Sequence, residues 1–332
     1  MSQSPVISMV FPVYNEQGNV RPLYERVKSV LDSTQLSYEM VFVDDGSRDA
    51  SLTTVKEVAV GDPVVRFVSL SRNFGHQTAL AAGLAFAQGQ AVICMDADLQ
   101  HPPELIPDLI RLWREGYDVV FTSKQRYVTL SSGRRALVKI AYWLLTKFSG
   151  LNLSFGQSDF RLMDRRVVNV LNGLPEHRKF LRGLVCWVGF RQTGVEYEVE
   201  QRHTGRSKYT VRSSFALLID GILAFSITPL RWSLAVGLAA ALASIAYGMY
   251  VVVIGILNLL GMVVPLPPGW ATVISLVVLL GGIQLIAIGL LSEYVGRIYE
   301  QVRGRPNYIV REHSEVQACA VERSDLVGAG RS

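Results

Sequence analysis

The sequence has only three cysteines, Cys94, Cys186 and Cys319, and they lie far apart in the chain. Their number and spacing argue against a disulfide framework and against a zinc site. Basic stretches interleaved with aromatic residues are also missing, so the net charge of +5 does not indicate a nucleic-acid ligand. A basic surface beside anionic lipid explains this charge more simply. A signal peptide is not expected, because residues 5–13 have the pattern of a short strand followed by a polar loop.

Two long stretches, residues 232–260 and 270–292, contain no Asp, Glu, Lys or Arg. Each can cross a hydrocarbon core, which needs roughly 20 helical residues. The alternative is a pair of very apolar core helices. The linker between them is uncharged, whereas arginines precede the first stretch and follow the second: Arg231, Arg297, Arg303, Arg305 and Arg311. The positive-inside rule therefore predicts two transmembrane helices, about 232–258 and 270–293, with both chain ends in the cytoplasm.

The first hundred residues alternate between apolar runs and segments with helical periodicity. The runs predict strands at residues 6–11, 39–43, 64–69 and 91–95, and the periodic segments predict helices at residues 20–33, 51–59 and 76–88. This alternation is typical of an α/β fold with a mostly parallel sheet. Ligands of such sheets bind beyond the carboxyl ends of the strands.

Three polar loops follow predicted strands: F-P-V-Y-N-E at 11–16, V-D-D-G-S-R-D at 43–49 and D-A-D-L-Q-H-P-P at 96–103. Asp96 and Asp98 point in one direction if the strand geometry continues, and two close carboxylates repel unless a cation lies between them or one is protonated. Each loop alone could be a solvated turn or a helix cap. Together they predict one cleft that holds a divalent cation and a diphosphate.

These three loops resemble glycosyltransferase family 2, and most closely its polyprenyl-phosphate branch, which includes dolichyl-phosphate mannose synthases and bacterial undecaprenyl-phosphate glucosyltransferases. The resemblance covers about residues 5–230, and the two-helix segment suits the bacterial members. It implies a Rossmann-like GT-A domain over residues 1–210 and a transmembrane hairpin over 231–295. Residues 211–230 are expected to form an amphipathic helix on the membrane, or else a packing helix of the domain. Residues 296–332 are expected to be a cytoplasmic tail, disordered after Arg311.

The resemblance implies donor-side roles for residues in all three loops. The residues implied to hold the nucleotide sugar here are Pro12, Tyr14, Glu16, Val43, Asp45, Asp96 and Ala97. Asp45 is expected to accept a hydrogen bond from the base. Its neighbour Asp44 could share this role or simply brace the turn. The metal ligands implied are Asp98 and Gln100, with Asp96 touching the ribose or a metal-bound water, and the ion is Mg²⁺ or Mn²⁺.

Further residues are assigned to phosphates and to the acceptor. Asp159 in G-Q-S-D-F-R resembles the acceptor-side carboxylate of the family and, with Asp98, is the catalytic candidate; it could take a proton, orient the acceptor or hold an arginine. The segment 201–209 resembles the loop that covers the diphosphate in the family, with Arg202 and Lys208 as its cationic pair. The predicted lipid-phosphate residues are Arg126, which could instead reach the donor phosphates, Arg135 and Lys139. Arg134 and Lys139 could equally contact lipid headgroups.

The expected activity is inverting transfer of one sugar to undecaprenyl phosphate at the cytoplasmic face of a bacterial inner membrane. UDP-glucose is the first candidate donor, and GDP-mannose, UDP-GlcNAc and UDP-4-formamido-arabinose are alternatives. Two other functions stay open: a processive polysaccharide synthase, although residues 228–232 lack the Gln of the acceptor motif Q-x-x-R-W, and a silent scaffold that binds nucleotide sugar. Expected partners are membrane lipids, a downstream flippase and a second copy of the chain, since two helices leave little buried surface in the bilayer.

Overall fold

The computed structural model describes residues 5–124, 157–176, 179–197, 226–261 and 269–314. The strands of this part are β1 (Ile7–Val13), β2 (Tyr38–Asp44), β3 (Val65–Leu70), β4 (Ala91–Cys94), β5 (Val119–Lys124), β6 (Gln157–Asp164), β7 (Gln192–Tyr197) and β8 (Val310–His313). The α-helices are α1 (Val20–Ser33), α2 (Ser51–Gly61), α3 (His76–Phe86), α4 (Ile106–Arg114), α5 (Arg165–Gly173), α6 (Leu181–Trp187), α7 (Thr228–Leu259) and α8 (Gly269–Val302).

The described strands form one mixed sheet in the order β7-β5-β6-β4-β1-β2-β3-β8. Strands β4, β1, β2 and β3 are parallel neighbours, whereas β6 and β8 run antiparallel to the strands beside them. Every residue of β1 is buried, as expected of a central strand covered on both faces. Pro12 pairs with Val43 of β2, but the pairing with β4 has already ended at Val10, so Pro12 lies where only one neighbouring strand remains.

Helices cover both faces of the sheet. Buried side chains of α1, α2 and α4 pack on one face, and those of α3, α5 and α6 pack on the other. Helix α3 approaches β1 so closely that a Cβ on Gly83 would lie 2.2 Å from Val10 Cγ1. The absence of a side chain at Gly83 therefore lets α3 pack directly against β1.

Helices α7 and α8 are long and apolar enough to cross a membrane, and they contact each other as a hairpin. The chain after α8 returns to the α/β domain. Asn307 Nδ2 donates to the Glu176 carbonyl at 3.2 Å, and β8 extends the sheet antiparallel to β3. Lys56 and Glu312 form an ion pair at 2.7 Å across this edge.

The α/β class and the alternation of the first hundred residues are confirmed. The observed strands β1 to β4 and helices α1 to α3 match the predicted segments to within a few residues. The expectation of disorder directly after Arg311 was wrong, because Glu312 and His313 belong to β8 and Ser314 N donates to the Phe67 carbonyl. The backbone N–H and C=O groups on the outer edge of β3 pair with β8, and the composition of the tail does not reveal this pairing. Most of the proposed amphipathic helix at 211–230 lies outside the described residues.

Candidate functional site

The first two polar loops contact each other at the carboxyl ends of β1 and β2. Asn15 N donates to Ser47 Oγ at 3.0 Å, and Glu16 N donates to Ser51 Oγ at 2.8 Å. In the other direction, Arg48 N donates to Asn15 Oδ1 at 2.8 Å. The predicted convergence of these two loops is therefore confirmed, and Tyr14 and Glu16 lie half-buried beside this junction.

Asp45 fixes the loop that leads into α3. Its two carboxylate oxygens accept from Phe74 N at 2.7 Å and Gly75 N at 2.9 Å. Burial raises the pKa of Asp45 although these two hydrogen bonds oppose the rise. The hydrogen bond from a nucleobase to Asp45 remains a prediction. It would use carboxylate lone pairs that Phe74 N and Gly75 N do not occupy.

Gly46 and Asp44 complete this turn. Gly46 has a φ of +67°, and a Cβ there would lie 2.5 Å from the carbonyl carbon of Arg72. Only glycine fits this close approach in that backbone conformation. Asp44 accepts from Ser47 N at 3.1 Å and from Ser69 Oγ at 3.2 Å, so it braces the turn from inside the protein.

Asp96 lies just beyond β4 between two histidines. His101 Nε2 is 3.2 Å from Asp96 Oδ2, and His76 Nε2 is 3.3 Å from Asp96 Oδ1. Burial alone would raise the pKa of Asp96, but the hydrogen bond with His101 and the charge of His76 outweigh burial and lower it. Asp96 Oδ1 is buried and makes no hydrogen bond to any described group.

Asp159 on β6 lies on the other side of His76. Arg182 binds it in a fork, with Nε 2.8 Å from Oδ1 and Nη2 2.6 Å from Oδ2. Gln77 Nε2 donates to Oδ2 at 3.3 Å, and Arg161 Nη2 lies 3.7 Å from Oδ1. Burial would raise the pKa of Asp159, yet the charge and hydrogen bonds of Arg182, together with His76, hold it well below its usual range.

His76 connects the two carboxylates. Its Nε2 lies 3.4 Å from Asp159 Oδ2 as well as 3.3 Å from Asp96 Oδ1. Burial would lower the pKa of His76, but the hydrogen bond to Asp159 and the charges of both aspartates raise it to about 9. His76 therefore carries a positive charge between Asp96 and Asp159 at neutral pH.

The same three residues can hold a divalent cation. Among the described His, Cys, Asp and Glu side chains, His76, Asp96 and Asp159 form one group whose ligand atoms all lie within 4.8 Å of one another. Two carboxylates and an imidazole suit a divalent metal, and the unbonded Asp96 Oδ1 offers an oxygen ligand. A bound cation would replace the proton of His76 as the charge that separates the aspartates.

The structure places the other predicted residues as follows. Asp98 Oδ1 accepts from Gln100 N at 3.2 Å, and Leu99 between them has a φ of +58°. Asp98 and Gln100 are half-buried in the loop that begins at Asp96. Their assignment as metal ligands stays a prediction.

Other predicted residues lie at the same edge of the sheet or outside the described part of the chain. Pro12, Val43 and Ala97 are buried at the carboxyl edge of the sheet. The basic residues assigned to phosphates lie outside the described residues: Arg126, Arg135, Lys139, Arg202 and Lys208.

Sequence reasoning missed His76, His101 and Arg182. His101 stands inside the quoted third loop, and His76 starts a helix that follows a predicted strand, so both had a weak local signal. Arg182 had none, because only the fold brings α6 against β6. The two described cysteines, Cys94 and Cys186, are free.

Comparison with known proteins finds two matching families. Glycosyl transferase family 2 matches residues 8–171, and the GtrB C-terminal hairpin matches residues 228–298. An uncharacterized glycosyltransferase of Bacillus subtilis is 39% identical over 94% of this chain and 95% of its own length. The SfII prophage-derived bactoprenol glucosyl transferase of Shigella flexneri is 38% identical over 92% of this chain and 97% of its own.

Among solved structures, the chain is similar to glucosyl-3-phosphoglycerate synthase from Mycobacterium tuberculosis, determined with Mn²⁺, UDP and phosphoglyceric acid. That similarity has a TM-score of 0.48 and 20% identity, and it covers 66% of this chain and 76% of the other.

Proposed function

The chain belongs to glycosyltransferase family 2, and from this membership we propose that it transfers a single glucose from UDP-glucose to undecaprenyl phosphate. The observation that carries the proposal is the similarity to a bactoprenol glucosyl transferase over 92% of this chain and 97% of that protein. This similarity extends over both the α/β domain and the helical hairpin. The reaction takes place at the cytoplasmic face of the membrane, which the arginines after α8 support.

The carboxyl edge of the sheet is the donor site in this proposal. The junction of the first two loops, with Tyr14, Glu16 and Asp45, holds the nucleoside. The third loop, from Asp96 to Gln100, lies beside it at the end of β4 and faces the diphosphate. Arg202 and Lys208 supply further positive charge to that diphosphate.

Asp96 would be one ligand of a divalent cation, Mg²⁺ or Mn²⁺. Asp159, His76, Asp98 and Gln100 are the candidates for the remaining ligands. When bound, such an ion neutralises the charge that develops on the departing nucleotide diphosphate. The residues of the chain then need only position the donor, and no protein acid is required for the leaving group.

In this proposal Asp159 holds Arg182 and does not act as a general base. Both of its oxygens accept from Arg182, and its pKa is held well below the usual range, so it has little tendency to take a proton. The acceptor phosphate needs no base, because the second pKa of a phosphate monoester is about 6. Its oxygen attacks the anomeric carbon opposite the leaving diphosphate, which gives inversion and a β-linked product.

The test uses the full chain in detergent with undecaprenyl phosphate, a panel of UDP- and GDP-sugars, and Mg²⁺, Mn²⁺ or EDTA. The expected result is a lipid-linked sugar formed from UDP-glucose with metal and not with EDTA. Transfer from another donor would contradict the assignment of glucose. Absence of lipid product with every donor, from protein that still binds UDP, would support the scaffold alternative instead.

A further inference from the structure

A buried series of hydrogen bonds links Asp96 to Tyr197, on a strand at one edge of the described sheet. The Tyr197 hydroxyl lies 2.8 Å from His101 Nδ1, and His101 Nε2 lies 3.2 Å from Asp96 Oδ2. His101 and Tyr197 are 3% and 4% exposed, so water does not compete for these bonds. Tyr197 ends β7, which is separated from β4 in the sheet by β5 and β6.

The chemistry of these three groups determines which one donates in each hydrogen bond. An ionised carboxylate only accepts hydrogen bonds, so His101 Nε2 carries the proton that is donated to Asp96. In the neutral imidazole Nδ1 then accepts, and the Tyr197 hydroxyl donates to it. Tyr197 thereby selects the tautomer of His101 that can bind Asp96.

Packing fixes the histidine ring in this orientation. The ring centroid of His101 lies 5.4 Å from that of Phe160 on β6 and 5.6 Å from that of Tyr197. The bond from His101 occupies Asp96 Oδ2, whereas Asp96 Oδ1 makes no hydrogen bond to a described group. The carboxylate is therefore held in one rotamer with Oδ1 toward His76 and Asp159.

We propose that Tyr197 and His101 are positioning residues that hold Asp96 Oδ1 ready to bind the divalent cation of the donor site. This inference rests on the proposed function, because it assumes that a metal-bound nucleotide sugar occupies that site. Neither residue touches the metal or the substrate. They act by restricting the Asp96 carboxylate, as hydrogen-bonded partners of metal ligands commonly do.

The experiment measures Mn²⁺ affinity of the full chain in detergent by calorimetry, with UDP present at saturation. Tyr197→Phe removes the hydroxyl and keeps the ring. We expect it to weaken Mn²⁺ binding about tenfold, the lower end of the effect seen when partners of metal ligands are removed. His101→Gln keeps an amide donor for Asp96, so it should bind Mn²⁺ more tightly than His101→Leu, which has none.

Tyr24→Phe is the matched control. Tyr24 also donates its hydroxyl to a carboxylate, that of Asp62 at 2.7 Å, but it lies on α1 in contact with the end of α2. Its loss should change the melting temperature about as much as Tyr197→Phe does and leave the Mn²⁺ affinity unchanged. Should His101→Leu fail to fold, Tyr197→Phe and His101→Gln still provide the comparison.

Equal Mn²⁺ affinity in the wild type and Tyr197→Phe would overturn the inference, as would equal weakening by Tyr24→Phe. A wild type that does not bind Mn²⁺ in the presence of UDP would overturn it as well. Failure of the proposed function is separate: it would be seen as wild-type protein that binds Mn²⁺ and UDP but transfers no glucose.

Discussion

Replacing Arg182 with alanine should destabilise the α/β domain by leaving a buried carboxylate without its main partner. Asp159 is 4% exposed, and Arg182 binds it through two hydrogen bonds of 2.8 and 2.6 Å. Removing one partner of a fully buried ion pair costs about 3–5 kcal/mol. Arg182 is 26% exposed, and Arg161 and His76 still face the carboxylate, so the loss is smaller here.

We expect the free energy of unfolding to fall by about 2 kcal/mol, a value typical of hydrogen bonds to a charged group. For a domain of this size the melting temperature should then fall by roughly 4–8 °C. The assay is thermal unfolding of the full chain in detergent, without metal. Asp159→Asn and the double variant Asp159→Asn/Arg182→Ala complete a cycle, and the double variant should lose less stability than the two single variants added together.

Arg166→Ala is the control for a surface arginine. Arg166 contacts Asp118 at 2.6 Å and Asp164 at 3.1 Å, but its side chain is 72% exposed. Water screens exposed ion pairs, so they add little to stability, and this variant should melt near the wild type. If Arg182→Ala melts at the same temperature as Arg166→Ala, or if the two changes in the cycle are simply additive, the reasoning about Asp159 is refuted.

Three further predictions concern other parts of the molecule. Asp98→Ala should abolish glucose transfer while the melting temperature stays near that of the wild type; retained transfer would remove Asp98 from the site. Gly46→Ala should lower the free energy of unfolding by more than about 1 kcal/mol and weaken UDP binding. The added Cβ would meet the carbonyl carbon of Arg72 at 2.5 Å, and the φ of +67° is unfavourable for alanine. Unchanged UDP affinity by calorimetry would contradict this. Lys28→Met should lower the melting temperature at pH 7, because Lys28 donates to Asp62 at 2.7 Å and, against the opposing effect of burial, helps to lower the pKa of Asp62. A carboxylate with a depressed pKa stabilises the fold above its unfolded pKa of about 3.9 and loses that effect as the pH falls. The difference in melting temperature between the wild type and Lys28→Met should therefore shrink below about pH 4. A difference that stays constant with pH would contradict the assignment.

Local patterns in the sequence were sufficient to predict the first half of the sheet. The apolar runs at β1 to β4 are short and bounded by polar loops, and the helices between them have their own periodicity, so each element is determined by its own residues. The position of Asp96 at the end of β4 follows from the same patterns. The family resemblance added the roles expected of the loop residues.

The neighbours of Asp96 and Asp159 could not be predicted in this way. His76 and Arg182 come from α3 and α6 and contact Asp159, while Tyr197 comes from β7 and contacts His101. Asp159 lies near Asp96 because β6 pairs antiparallel with β4. The strand β8 was missed for a similar reason, since its partner β3 is more than 200 residues away in the chain. Contacts between distant segments depend on topology, and a single sequence shows them only where a motif is already known.

The number of sugars on the lipid product tests the central claim most directly. Wild-type chain in detergent is incubated with undecaprenyl phosphate, excess UDP-glucose and Mn²⁺, and the lipid is analysed by mass spectrometry. The account predicts one product, heavier than undecaprenyl phosphate by a single hexose residue and formed in equal amount with UDP. A ladder of several hexoses, or UDP release without any change in the mass of the lipid, would contradict it.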